Sequence, residues 1–213
     1  MNTVIAVLVF SFLAPRALAI NHVGCTKSEK AEIIKAAKTS NKLVANAISY
    51  LSKLKPDRAK DHYTEWFSVY NSTNSNIAKA HFMVIEGKAT SPTYDCTTCI
   101  NQEKDTKFYL YLDDQPKSNT IYLCQKFWKA PLTSPDNVAN SKAGLIIQVS
   151  LALRGIGQRK DKLLGVTVSE ATEKLIKPVQ YMRFAEAIPQ KKLFRGFAQN
   201  RIQPNDPTFN NPR

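Results

Sequence analysis

The chain has 213 residues, enough for one domain with an ordinary core and too few for two full ones. Its 30 Lys and Arg against 17 Asp and Glu give a formal charge of +13, which favours weak attraction to anionic polymers. That charge is scattered as lysine over much of the chain. No nucleic-acid-binding motif or interleaved aromatic and basic strand accompanies it, so specific nucleic-acid recognition is not expected.

Residues 1–19 read as a secretory signal peptide. Val4 to Leu13 is an almost unbroken apolar run, and Ala17-Leu18-Ala19 is a small-x-small cleavage site. The run is too short to cross a bilayer and Pro15-Arg16 interrupts it, so no transmembrane anchor is expected. The mature chain then begins at Ile20, and loss of Arg16 leaves 29 basic residues against 17 acidic ones, a net +12. A secreted, extracellular protein with four cysteines, Cys25, Cys96, Cys99 and Cys124, has two disulfides by default. Cys96-Thr97-Thr98-Cys99 also has the spacing of half a zinc site. Only His22, His62 and His81, or the other two cysteines, could complete it, and the compartment favours disulfides.

Thr26-x-x-Glu29 has the form of a capping box, and Ile33, Ile34, Ala37, Val44, Ala47, Ile48 and Leu51 follow at helical spacing to about Leu54. Pro56-Asp57 breaks that helix. Tyr63 to Phe67 begins a second element carrying aromatic core residues. Asn71-Ser72-Thr73 is a glycosylation sequon in a polar run, Asn71 to Asn76, that reads as an exposed loop. Ile77 to Ile85 fits a helix with His81 at the edge of the core. Phe108 to Leu112 and Thr120 to Phe127 read as a strand pair, with Cys124 in the second strand and a turn at Asp113-Asp114. Adjacent carboxylates on a strand point to opposite faces, so these two aspartates make no acid–base pair.

After a polar loop, Ser141 to about Leu153 is apolar nearly all round, as a buried central helix would be, and Gly155-Ile156-Gly157 ends it. Ser150 on this helix reads as a small packing residue. A further helix is expected from about Ser169 to Ile176, with Pro178 interrupting before Tyr181 to Glu186. Residues 189–213 hold little apolar material and read as a basic, disordered tail, leaving 20–188 as the domain.

Several pieces in order resemble the fungal deuterolysin and lysine-specific metalloendopeptidase (aspzincin) family. They are Cys25, Trp66-Phe67, Tyr94-Asp95-Cys96, the run Ile121 to Trp128, Ala143-Gly144-Leu145-Ile146-Ile147 and Phe184-Ala185-Glu186. The resemblance implies an α+β, zincin-like metalloprotease fold with N-terminal helices, a small disulfide-linked sheet and a central former active-site helix. It also implies Cys25–Cys96 and Cys99–Cys124 pairing. The family's zinc-binding His-Glu-x-x-His falls on Gln148, Val149 and Ala152. Its Gly-Thr turn falls on Gln158-Arg159, its transition-state Tyr on Leu164, and its Asn-Ala-Asp on Lys177-Pro178-Val179. Of the ligands, only Asp161 matches.

A catalytic zinc needs three protein ligands and an open water position. Gln is a weak neutral ligand, Ala is none, and Val149 cannot accept a proton from water. On this reading there is no cofactor and no catalytic residue. The chain is a secreted pseudoenzyme whose partner is a protein or peptide held in the old cleft beside Gln148, Arg159 and Asp161, as a decoy or effector would hold it. The alternatives are an active secreted zinc endopeptidase, as family similarity suggests, and a polyanion-binding surface protein.

Overall fold

The computed structural model describes residues 20–56, 62–67, 69–102, 107–113, 118–134, 140–156, 160–161, 166–167 and 177–199. The first helix, α1 (Lys27–Ser52), opens on the capping box expected of it. Thr26 Oγ1 accepts from the Glu29 amide at 3.3 Å, and Glu29 Oε2 accepts from the Thr26 amide at 2.7 Å. Its buried face, Ile33, Ala36, Ala37, Leu43, Val44, Ala47 and Leu51, recurs at three- and four-residue steps. The short α2 (Tyr63–Phe67) buries Tyr63 and Phe67.

The third helix, α3 (Ser72–Ile85), corrects one expectation. The polar run Asn71 to Asn76 is its first turn and not a loop, with Asn71 as the cap: Asn71 Oδ1 accepts from the Asn74 amide at 2.7 Å. Composition misled here because Ser, Thr and Asn disfavour helix interiors, whereas burial of Ser75 and Ala78 makes the turn helical. His81 is also deeper than its expected place at the core edge. It is fully buried, with Nδ1 2.6 Å from the Tyr181 hydroxyl.

The sheet has four strands, β1 (Asn21–Val23), β2 (Thr93–Asp95), β3 (Leu110–Leu112) and β4 (Thr120–Leu123), in the order β1-β2-β4-β3. The first two pairings are parallel. At the far edge β3 runs antiparallel to β4 with Tyr111 opposite Tyr122, their rings stacked at 4.8 Å. The second extended run ends sooner than expected. Cys124 caps a short helix, α4 (Gln125–Lys129), because the Phe127 amide turns back to the Cys124 carbonyl at 2.9 Å. The disulfides join Cys25 to Cys96 and Cys99 to Cys124, fixing the start of α1 to the end of β2 and the segment after β2 to the end of β4. Gly24, at φ 63°, makes the bend between β1 and Cys25, where a Cβ would lie 2.3 Å from Thr97 Cγ2.

Two cores flank one helix, α5 (Lys142–Leu153). Ala143, Ile147 and Leu151 join an all-helical core with Leu43, Val44, Phe67, Phe82, Tyr181 and Phe184. Leu145, Ile146 and Val149 join a second core with Ile33, Tyr94, Ile121, Leu123 and Phe127 under the sheet. Burying Ile147 and Leu151 on one side and Leu145, Ile146 and Val149 on the other contributes about 1.5–3 kcal/mol per side chain before entropy is counted. This is why α5 is apolar nearly all round. Beyond it, β5 (Lys160–Asp161) pairs antiparallel with β6 (Val166–Thr167). The helix expected over 169–176 lies outside the described residues.

The last helix, α6 (Pro178–Gln199), begins at the proline expected to interrupt it. Proline suits a first helical position, where its missing amide has no intrahelical acceptor to lose. The bounds of α6 run past 188, the end expected for the domain, through Pro189 to Gln199. Residues 200–213 and 1–19, the segment expected to be a signal peptide, lie outside the described residues.

Candidate functional site

The site is built on α5, whose ends are tightly specified. Ser141 Oγ accepts from the Gly144 amide at 2.9 Å and donates a short hydrogen bond to Glu186 Oε1, which also accepts from the Ser134 amide at 3.0 Å. The closing Phe184-Ala185-Glu186 motif therefore supplies a carboxylate to the amino end of α5, where the helix dipole favours negative charge. Burial pushes the Glu186 carboxyl above its ordinary range; hydrogen bonds from Ser141 and Ser134 and the nearby Arg183 charge oppose that shift without cancelling it. Gly144 makes the close approach possible: a Cβ there would meet Met182 Cγ at 2.7 Å and Glu186 Oε2 at 2.9 Å. Lys142 Nζ adds an anchor, donating to the Trp128 and Ala130 carbonyls at 2.8 Å each and pairing with Glu32 at 3.1 Å. At the carboxyl end the Ile156 amide reaches the Leu151 carbonyl and the Gly155 amide reaches that of Ala152. With Gly155 at φ 77°, this is a Schellman cap.

Between α5 and the edge strand β3 lies a groove of about 530 Å3. Leu145, Gln148, Val149 and Ala152 form its α5 wall, successive turns of one helix face. Phe108 to Leu112 form the opposite wall, with Asn140 and Pro178 also lining the groove. Phe108 is about half exposed. Among the described residues β3 pairs with β4 alone, so it is the edge strand of the sheet.

The structure thus brings together Gln148, Val149 and Ala152, the three positions singled out on the helix. Asp161 is placed only as backbone, in β5 opposite Val166. Arg159 and Leu164 lie outside the described residues. The three imidazoles are elsewhere. His22 is on β1; His62 is buried against Phe184, its Nε2 3.2 Å from that residue's carbonyl; His81 is in the helical core. Asn71 is exposed at the start of α3.

With this geometry in view, comparison with known proteins assigns the class. Residues 52–179, more than half of the chain, match the family described as lysine-specific metallo-endopeptidase, and the chain belongs to that family. Over 125 residues it is 33% identical to an extracellular protease of Aeromonas hydrophila, covering 58% of this chain and 32% of that protein. It is 29% identical over 153 residues to a peptidyl-Lys metalloendopeptidase of Grifola frondosa, covering 71% of this chain and 40% of that protein. The chain therefore spans well under half the length of either relative. A solved zinc peptidase from Grifola frondosa superposes with a TM-score of 0.58 at 27% identity, covering 78% of this chain and 98% of that one. The α+β zincin-like fold stands, and a bacterial relative stands beside the fungal ones.

These comparisons correct the expectation that the chain has no cofactor. The family is one of metallo-endopeptidases and the solved relative is a zinc peptidase, so the metal that belongs with this fold is zinc. The described side chains of the groove do not fit it. Gln148 offers one neutral amide, Val149 and Ala152 offer no donor atom, and none of the three imidazoles lines the groove. Among the described residues no group of three His, Cys, Asp or Glu is gathered as a metal would require. Among its described residues the groove has the edge strand β3 on one side, apolar and aromatic surface, and one side-chain amide on α5, that of Gln148, able both to donate and to accept.

Proposed function

We propose that this chain is a secreted member of its family that binds an extended polypeptide in the groove between β3 and α5 without cleaving it. The observation that carries the reading is the composition of the α5 wall. Where peptide hydrolysis needs a group to take a proton from water, the wall offers the isopropyl of Val149. Retention of the groove supports binding. A peptide laid along the free edge of β3 would add a fifth strand to the sheet, its alternate side chains resting on Val149 and Ala152 or facing outward.

A partner of this kind gives the protein a decoy or effector role. The leader at 1–19 directs the chain out of the cell; among the described residues no helix is long and apolar enough to cross a membrane. The exposed Asn71 carries a glycan on Nδ2, an atom the helix cap leaves unused because the cap employs Oδ1. Loss of a glycosidase-sensitive mass in Asn71→Gln would support that assignment.

The central test mixes the oxidised chain with zinc and a library of lysine-containing peptides. Peptide retention without new termini is expected. Cleavage that a chelator stops would overturn the proposal in favour of an active endopeptidase.

A further inference from the structure

The opposite flank of α5 carries a second concavity, distinct from the groove. Its volume is about 280 Å3, and its lining comes from three stretches far apart in sequence. Lys88 and Ser91 come from the 3-10 turn at Lys88–Thr90 and the residue after it, Ser118 and Asn119 from the segment entering β4, and Ser150 and Arg154 from α5 and its carboxyl-terminal cap. Ser150 and Arg154 are four residues apart, one helical turn, and so lie on one face.

Among the described residues every charged group lining this pocket is positive: Lys88 and Arg154 line it and no carboxylate does. Neither cation has an ion-pair partner among the described residues. Around them stand three hydroxyls. Ser118 Oγ accepts from the Thr120 amide at 3.4 Å, which leaves its proton to donate. The Ser150 hydroxyl is almost wholly buried, at 5% exposure for the residue, and has no hydrogen-bond partner among the described residues. A serine in a helix ordinarily returns its hydroxyl to the carbonyl one turn back. An unsatisfied buried hydroxyl costs stability, so a partner supplied from the pocket would recover what burial loses. Asn119 is held in place by its Nδ2, which donates to the Ser91 carbonyl at 3.1 Å, so the rim of the pocket is braced across two segments.

Two cations and several hydroxyl donors, with no acidic neighbour among the described residues, are complementary to an oxyanion. The guanidinium provides paired N–H groups, the ammonium a point charge, and the hydroxyls the remaining donors. A carboxylate has two oxygens to offer, whereas a tetrahedral group offers three and suits this larger donor set. We infer that the pocket between the Lys88 turn and α5 is a binding site for a ligand carrying a phosphate or sulfate monoester, held by Lys88, Arg154, Ser118 and Ser150. The site is independent of the peptide-binding reading, because none of these residues lines the groove. It also differs from a diffuse polyanion surface, because it predicts a stoichiometric site.

The test is titration of the oxidised chain with inorganic phosphate and, separately, inorganic sulfate at low ionic strength, followed by calorimetry and by amide shifts. One saturable site is expected, with shifts at Ser91, Asn119 and Arg154. Arg154→Ala should weaken binding about tenfold or more, as loss of a charge-assisted pair does. Lys88→Ala should weaken it several-fold and Ser150→Ala by a smaller factor, while Lys126→Ala, away from the pocket, should leave it unchanged. Both cations are on the surface, and circular dichroism would verify that their variants fold. Tighter phosphate than sulfate binding assigns a phosphate ester, and the reverse assigns a sulfate ester. Dissociation constants above about 10 mM for both anions, or binding that Arg154→Ala and Lys88→Ala leave intact, would overturn the inference.

Discussion

The two sides of α5 make opposite surfaces from one helix. Toward β3 the helix shows Leu145, Gln148, Val149 and Ala152 to aromatic and aliphatic neighbours on the edge strand of the sheet. On the other flank it shows Ser150, Leu153 and Arg154 to a lysine, two serines and an asparagine. The difference arises from a 100° step per residue and from only two polar side chains, Gln148 and Ser150, within the last turns of an otherwise apolar helix. A helix held by two cores can thus carry two chemistries with little change of sequence.

The largest expected effect removes the comparison altogether. Ile146 is fully buried between the sides, and Ile146→Ala should cost about 2–5 kcal/mol in urea unfolding and weaken both surfaces together. Next is Gly144→Ala. A helix interior normally gains up to about 1 kcal/mol from this change. Here the new methyl meets Met182 and Glu186, so a net loss of about 1–3 kcal/mol is expected in the same measurement. Ala152→Trp should separate the two sides, lowering peptide retention by about tenfold while phosphate titrates as before. Raising salt from about 0.05 to 0.5 M should weaken the anion several-fold and leave peptide retention within about twofold, because only one surface relies on charge.

The smallest effect is in acid and involves two carboxyls of opposite behaviour. Burial alone would raise the Asp95 carboxyl, but hydrogen bonds from the Thr98 and Thr97 amides and hydroxyls outweigh it and hold the group below the usual range. Its stabilising contribution is complete above the unfolded value and is lost as pH falls through the folded one. Glu186 is raised, so the folded state binds the extra proton. Stability should fall as pH rises from the ordinary glutamate value through the folded one. Urea midpoints between pH 2 and 7 should therefore lose part of their acid limb in Asp95→Asn and part of the opposing slope in Glu186→Gln.

Much of the fold was legible because its signals are local or periodic. The capping box of α1, the apolar character of α5 and its glycine terminator need only near neighbours. The extent of α3 and α6 was less legible, because their polar turns become helical through packing or propensity that composition does not weigh. Gln148, Val149 and Ala152 were singled out through the resemblance, and the fold puts all three on one groove wall. The cationic pocket could not, because Lys88, Ser118 and Arg154 are brought together only by the fold. One trace was present in the chain, a serine and an arginine one turn apart on an apolar helix.

The positions of the disulfides bear on how the molecule assembles. Both cross-links close by residue 124, one spanning 71 positions and the other 25. In the chain-entropy description they remove about 4.4 and 3.5 kcal/mol of unfolded-state freedom, all of it from the segment before α4. Nothing after Cys124 is so constrained. An oxidised but unfolded chain starts refolding as a looped amino-terminal half joined to a free carboxyl-terminal one. Docking α5 then bears the full ordering entropy of its own segment. Oxidant and reductant therefore set the stability of the frame, while the rate at which the groove and the cationic pocket return after denaturation is governed by a helix that no disulfide tethers.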